Sequence, residues 1–114
     1  MNRISNICAI TALLSVSGFA SAEPTWHTST INKVYPQSNG DVVLTFTQDH
    51  AKCTNGSIPK YYYLSANKNG VTAAGLQNIY SAALTAATAN KEVTINFDSS
   101  TSDCNINRLL VVFR

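Results

Sequence analysis

Charge is scarce in this chain: only 12% of its residues are Asp, Glu, Lys or Arg. The 8 basic and 6 acidic side chains are dispersed. No basic stripe marks a nucleic-acid partner, and no block of like charge marks a polyelectrolyte one. Histidine is limited to His27 and His50, so the sequence assembles no Ser/His/Asp arrangement, and no glycine-rich loop stands ready to cradle phosphate. The carboxylates Asp41, Asp49, Glu92, Asp98 and Asp103 fall among turns, where capping and solubility account for them. Nothing selects two of them as a pair for glycoside hydrolysis. The chain therefore reads as a non-enzyme, with no catalytic residue, metal or cofactor. A long apolar run is missing as well: the stretch from Ile7 to Val16 is too short to span a membrane, so membrane insertion is not expected.

What is present begins with that short run. Met1-Asn2-Arg3 supplies a positive charge before it, and Ala20-Ser21-Ala22 follows as a small-x-small cleavage site. Residues 1–22 read as a secretory signal peptide cut after Ala22, which predicts a secreted or periplasmic protein with one domain over residues 23–114. Cleavage removes Cys8 and leaves Cys53 and Cys104. In an oxidising compartment such a pair forms a disulfide. Closing a loop of about fifty residues is worth roughly 4 kcal/mol on the chain-entropy account. The rival use of Asp49-His50-Ala51-Lys52-Cys53 as a metal or nucleophile site has no second His/Cys cluster to complete four ligands.

Three Asn-Gly pairs, Asn39-Gly40, Asn55-Gly56 and Asn69-Gly70, predict turns. The first separates a strand over Thr30–Tyr35 from one over Asp41–Thr47, in which Val42, Leu44 and Phe46 alternate with Val43 and Thr45. Tyr61–Ser65 reads as a third strand and Lys91–Phe97 as a fourth, with Val93, Ile95 and Phe97 inward. Leu109–Phe113, apolar on both faces, reads as the fifth. Between the third and fourth strands, Leu76, Ile79, Tyr80, Ala83, Leu84 and Ala87 recur at helical spacing. Thr72 fits its N-cap, and Asn90 fits a left-handed residue after its end. The opposite face carries Gln77, Asn78, Ser81, Ala82, Thr85, Thr88 and Ala89, and no charged side chain occurs between Lys68 and Lys91. A small neutral face suits a neighbouring subunit, with Ser81, Thr85 and Thr88 at the interface; it reads equally as a neutral solvated face. The order β-β-β-α-β-β is that of a five-stranded OB-fold-like barrel, and equally of a five-stranded α+β sandwich.

With so little charge, the surface must be built largely from hydroxyl, amide and tyrosine groups, a composition that suits sugars or a protein interface. In the third strand Tyr61 and Tyr63 point one way and Tyr62 the other, so one set faces away from the core. Trp26, near the mature N-terminus, reads either as a core plug or, with Thr28 and Ser29, as part of a sugar site.

The segment Ile79-Tyr80-Ser81-Ala82-Ala83-Leu84, running through Thr88-Ala89-Asn90-Lys91-Glu92-Val93-Thr94-Ile95, resembles the helix-to-strand passage of subtilase-cytotoxin and pertussis-like toxin B subunits. Two departures stand out: Asn90 occupies the family's glycine position, and Cys53 and Cys104 lie far apart where subtilase-like subunits pair cysteines locally. The resemblance implies a homopentameric ring of OB-folds with helices lining the pore and outer surfaces that bind cell-surface glycans. It also implies a catalytic A subunit as a further partner. For glycan contacts the resemblance favours the region Trp26–Thr30, with Trp26, Thr28 and Ser29 as candidates, without transferring the role of any one family residue, whereas local aromatic density favours Tyr61 and Tyr63. A monomeric secreted protein-binding or inhibitor protein of the same fold is the alternative.

Overall fold

The computed structural model describes residues 22–113, so Cys8 and all of the expected signal peptide over residues 1–22 except Ala22 lie outside the described residues. Five strands and one helix follow in the expected order. They are β1 (Pro24–Pro36), β2 (Val42–Phe46), β3 (Tyr62–Leu64), α1 (Ala73–Thr88), β4 (Glu92–Asp98) and β5 (Ile106–Val111). All neighbouring strands are antiparallel, in the spatial order β3-β2-β1-β4-β5.

The first strand is much longer than its apolar pattern predicts, and its length organises the sheet. Pro24 to Thr30 pair with β4, and Ile31 to Pro36 pair with β2, with the register broken between Ile31 and Lys33. A bulge of this kind bends a strand and increases its twist. One bent strand thus joins two half-sheets. The polar start, Thr25 to Thr30, is strand because β4 supplies a partner along its whole length.

The core is filled by alternate residues of the strands, as the period of two requires. Val42, Leu44 and Phe46 meet Tyr62 and Leu64, Val93, Ile95 and Phe97, and Ile106, with Leu76, Ala83 and Ala86 of the helix laid against them. Each large side chain among these contributes about 1.5–3 kcal/mol by leaving water. The helix is rotated slightly from the expected stripe: Ala86 joins the core, while Leu84 is exposed. Its ends behave as predicted. The Thr72 hydroxyl accepts from the Gly75 N–H at 3.0 Å. At the other end Asn90 takes φ 53°, while its N–H donates to Ala87 O and the Lys91 N–H donates to Ala86 O. That pairing satisfies the last carbonyls of the helix.

The sheet is not closed into a barrel. It ends at β3 and β5, whose edges are tied across the gap without forming a ladder. The Tyr63 N–H donates to Asp103 O at 3.2 Å, the Asn69 amide donates to Asn105 O at 2.8 Å, and the Asn107 amide donates to Asn69 O at 2.7 Å. The expected disulfide joins Cys53 to Cys104 at the same seam, with Cα atoms 5.7 Å apart. Its formation consumes the Cys53 thiol, which removes the alternative use of that residue with His50. With only 3 residues in β3, there is too little strand to zip the edges together. Of the three Asn-Gly pairs, Asn69-Gly70 has both residues at positive φ and Asn39-Gly40 has its glycine there. Asn55-Gly56 instead works through its side chain: the Asn55 amide donates to Tyr61 O and Ser102 O, and its oxygen accepts from the Ser57 and Tyr61 N–H groups. Among the described residues, no helix is long and apolar enough to cross a membrane.

Candidate functional site

Strand alternation decides which side chains of β1 reach the surface. Thr25, His27 and Ser29 turn inward; Trp26 and Thr28 turn outward. Ser29 is buried, its hydroxyl hydrogen-bonded to the Thr47 hydroxyl at 3.0 Å and accepting from the Gln48 N–H at 3.1 Å. It supports the strand-to-loop corner and does not face the surface. Trp26 is no core plug: it is 52% exposed.

Register places two polar rows on the outward face of β1, β4 and β5. The first is Trp26, Asn96 and Arg108; the second is Thr28, Thr94 and Leu110. The Thr28 and Thr94 hydroxyls are 2.8 Å apart and satisfy one another. Around the first row opens a cleft of about 380 Å³, lined by Trp26, Asn69, Asn96, Asn107 and Arg108 together with Ala22 and Pro24. Its wall is held by amides: the Asn107 side chain accepts from Arg108 Nε at 3.2 Å and donates to Asn69 O. Asn96 forms the floor and is only 7% exposed. Its amide has no hydrogen-bond partner among the described residues. No side-chain polar atom among those residues is both sealed and unpartnered, so the remaining access of this amide is through the cleft. The second row borders a further cleft of about 440 Å³ with Thr28, Thr94, Lys91 and Glu92 in its lining.

The other sequence candidates lie on the far half of the sheet. Tyr61 and Tyr63 are half-buried with ring centres 6.3 Å apart, and Tyr35 sits 5.8 Å from Tyr61. Tyr35 and Tyr63 flank Val43 in register, and Val43 is 1% exposed although it faces away from the main core. These tyrosines roof a second, small apolar layer. They and Trp26 belong to different halves of the sheet, so the structure does not bring the two aromatic candidates together.

The two histidines meet at one end of the core, both half-buried. The His27 ring stacks on Tyr62 with centres 5.9 Å apart, and His50 stands edge-on to it at 5.5 Å. His27 Nε2 bonds Gln48 O at 2.7 Å, and His50 Nδ1 accepts from the Lys52 N–H at 3.0 Å. Burial, followed by the charges of His27 and Lys52, pushes the His50 imidazole below its ordinary value. Burial pushes the Tyr62 phenol up, while the His50 N–H that its oxygen accepts pulls the other way. The rings close one end of the core. No group of three or more metal-ligating side chains occurs among the described residues.

On the helix, Ser81, Thr85 and Thr88 are exposed as expected. The Thr85 hydroxyl donates to Ser81 O at 3.0 Å and that of Thr88 to Leu84 O at 2.7 Å. With the hydroxyls turned back onto the helix, the threonines present methyl groups, and with Leu84 and Ala89 they line an open groove of about 420 Å³.

Asn96, Asn107, Asn69 and Arg108 escape sequence reasoning because each looks like an ordinary polar strand or turn residue. Asn96 does carry one legible signal, its place between the inward Ile95 and Phe97, which turns it outward. Its neighbours follow only from the register. Compared with known proteins, the chain matches no family model, no curated protein and no solved structure.

Proposed function

We propose that this protein is a secreted, non-catalytic glycan-binding subunit of an OB-type fold, acting as a homo-oligomer. The observation that carries the reading is the Trp26–Asn96 pair: an exposed indole beside an almost buried amide with no partner among the described residues, at the mouth and floor of one cleft. A sugar ring offers a C–H face for the indole and a fringe of hydroxyls for amides and a guanidinium. The cleft volume falls within the range of small-ligand sites, about 300–1,000 Å³. For the OB-type topology, support comes from the strand order, the helix between β3 and β4, and the tied edges of β3 and β5.

An open cleft of this kind binds weakly, about 4 kcal/mol or roughly millimolar per site, so useful avidity needs several copies. The methyl-rich helix face with Ser81, Thr85 and Thr88 supplies the surface for assembly, as a pentamer and with a catalytic A subunit if the sequence resemblance extends that far. The alternative, a monomeric protein-binding or inhibitor protein, draws on Ile58. It is 96% exposed on a loop pinned by Asn55 and by the Asp49 carboxylate accepting from the Lys60 N–H.

A broad glycan array probed with the processed protein at its native assembly state tests the reading. Binding by the wild type, its loss in Trp26→Ala and Asn96→Ala, and dissociation of the assembly by Ser81→Glu or Thr85→Lys are expected. An oligomeric wild type with no signal on the array turns the assignment to the protein-binding alternative.

A further inference from the structure

The Asp98 side chain is 9% exposed and ends β4 opposite Pro24, at the entry to β1. Three donors converge on its Oδ1: the Ser100 hydroxyl at 2.6 Å, the Ser100 N–H at 2.9 Å and the Glu23 N–H at 3.0 Å. The Glu23 carbonyl is fixed as well, accepting from the Ser99 N–H at 3.0 Å. Burial raises the affinity of Asp98 for a proton, but these donors outweigh it and hold the carboxyl below its ordinary value; among the described residues no Lys or Arg side chain acts on it. Hydrogen bonds alone, with no cation, therefore hold this carboxylate in its ionised form.

The missing cation is one peptide bond away. Hydrolysis of the Ala22–Glu23 amide by a signal peptidase consumes a water molecule, leaving a carboxylate on Ala22 and an amine on Glu23 that takes up a proton near neutral pH. We infer that the Asp98 carboxylate is the seat of the processed N-terminus: cleavage turns the Glu23 N–H donor into an ammonium that pairs with Asp98 where it already stands. The nitrogen needs no displacement to do so, since it lies within hydrogen-bond distance before the cut. A charge-assisted bond of this type is roughly twice as strong as a neutral one. Processing thereby locks the first half of β1, the stretch that carries Trp26. It also removes Ala22 from the lining of the Trp26 cleft. The inference concerns maturation and stands whether or not the ligand is a glycan.

The test exports the full precursor, establishes the mature terminus by intact mass, and follows carbamylation of the α-amine by cyanate at neutral pH through the mass of the N-terminal peptide. The mature chain is expected to begin at Glu23. Its amine should react about tenfold or more slowly in the folded wild type than in folded Asp98→Asn, because an ion-paired ammonium lacks the lone pair that attacks. If Asp98→Asn is not recovered folded, the same ratio is read between folded wild type and wild type denatured in guanidinium chloride, which generates no cyanate of its own. A mature terminus at another residue, or equal rates in the pair compared, overturns the inference.

Discussion

The two halves of the sheet share β1 and yet treat their outward faces in opposite ways. On the β1–β2–β3 half, Val43 and Thr45 point away from the core and are buried all the same. Val43 lies between Tyr35 and Tyr63, and Thr45 donates its hydroxyl to Asn32 Oδ1 at 3.1 Å. On the β1–β4–β5 half, the corresponding positions carry Trp26, Thr28, Thr94, Asn96 and Arg108, which stay open to two clefts. The tyrosines cover a face, whereas the indole and the amides leave one uncovered. On the proposed reading, aromatic density alone is a poor guide to a binding site; what matters is whether the polar groups beneath the ring have already found partners.

The largest effect is expected at the seam between the halves. Replacing Cys53 and Cys104 together by alanine should lower the unfolding free energy by about 4 kcal/mol in urea titrations, as the loop closed by the bridge regains its freedom. A smaller effect separates the two faces. Val43→Thr puts a hydroxyl without a partner into the dry layer under the tyrosines and should cost about 1–3 kcal/mol. Thr94→Val, the reverse change on the open face, breaks only the bond to Thr28 and should stay within about 1 kcal/mol. Equal costs would mean that the two faces do not differ in burial as described.

The smallest effect is electrostatic. The His50 imidazole titrates below its ordinary value of 6.5 in the folded protein, so the unfolded chain takes up its proton first as pH falls. The stability that the neutral imidazole contributes is therefore complete above 6.5 and is lost progressively as pH drops beneath it. Protonation would also set an N–H of the ring against the Lys52 N–H that Nδ1 now accepts. Denaturation midpoints measured on both sides of that value should fall toward acid in the wild type, and less steeply in His50→Asn.

Much of the fold is legible because periodicity and caps are local. The alternation of Val42, Leu44 and Phe46, the Thr72 cap and the left-handed Asn90 each follow from a few adjacent residues. The start of β1 is not legible in this way. Trp26-His27-Thr28-Ser29 lacks an apolar rhythm and becomes strand through its pairing with β4 across more than sixty intervening residues. The same distance hides the candidate site. Trp26 can be singled out from composition, but its partners Asn96 and Arg108 are named only by register. The reversal of Leu84 and Ala86 has a similar cause: helical spacing fixes a stripe's period, while its rotation against the sheet is set by how closely the small alanines approach.

The claim that the open face is the binding face can be read atom by atom in solution. The Trp26 indole N–H and the Asn96 side-chain amide give distinct signals in a proton–nitrogen correlation spectrum of the labelled processed protein. N-acetylglucosamine, galactose and N-acetylneuraminic acid would be titrated in turn, each to tens of millimolar to suit a site of roughly millimolar affinity. At least one of them should shift the Trp26 and Asn96 side-chain signals together while leaving the backbone signals of Tyr61 and Tyr63 in place. Shifts confined to the Tyr61–Tyr63 strand, with Trp26 and Asn96 unmoved, would contradict the account.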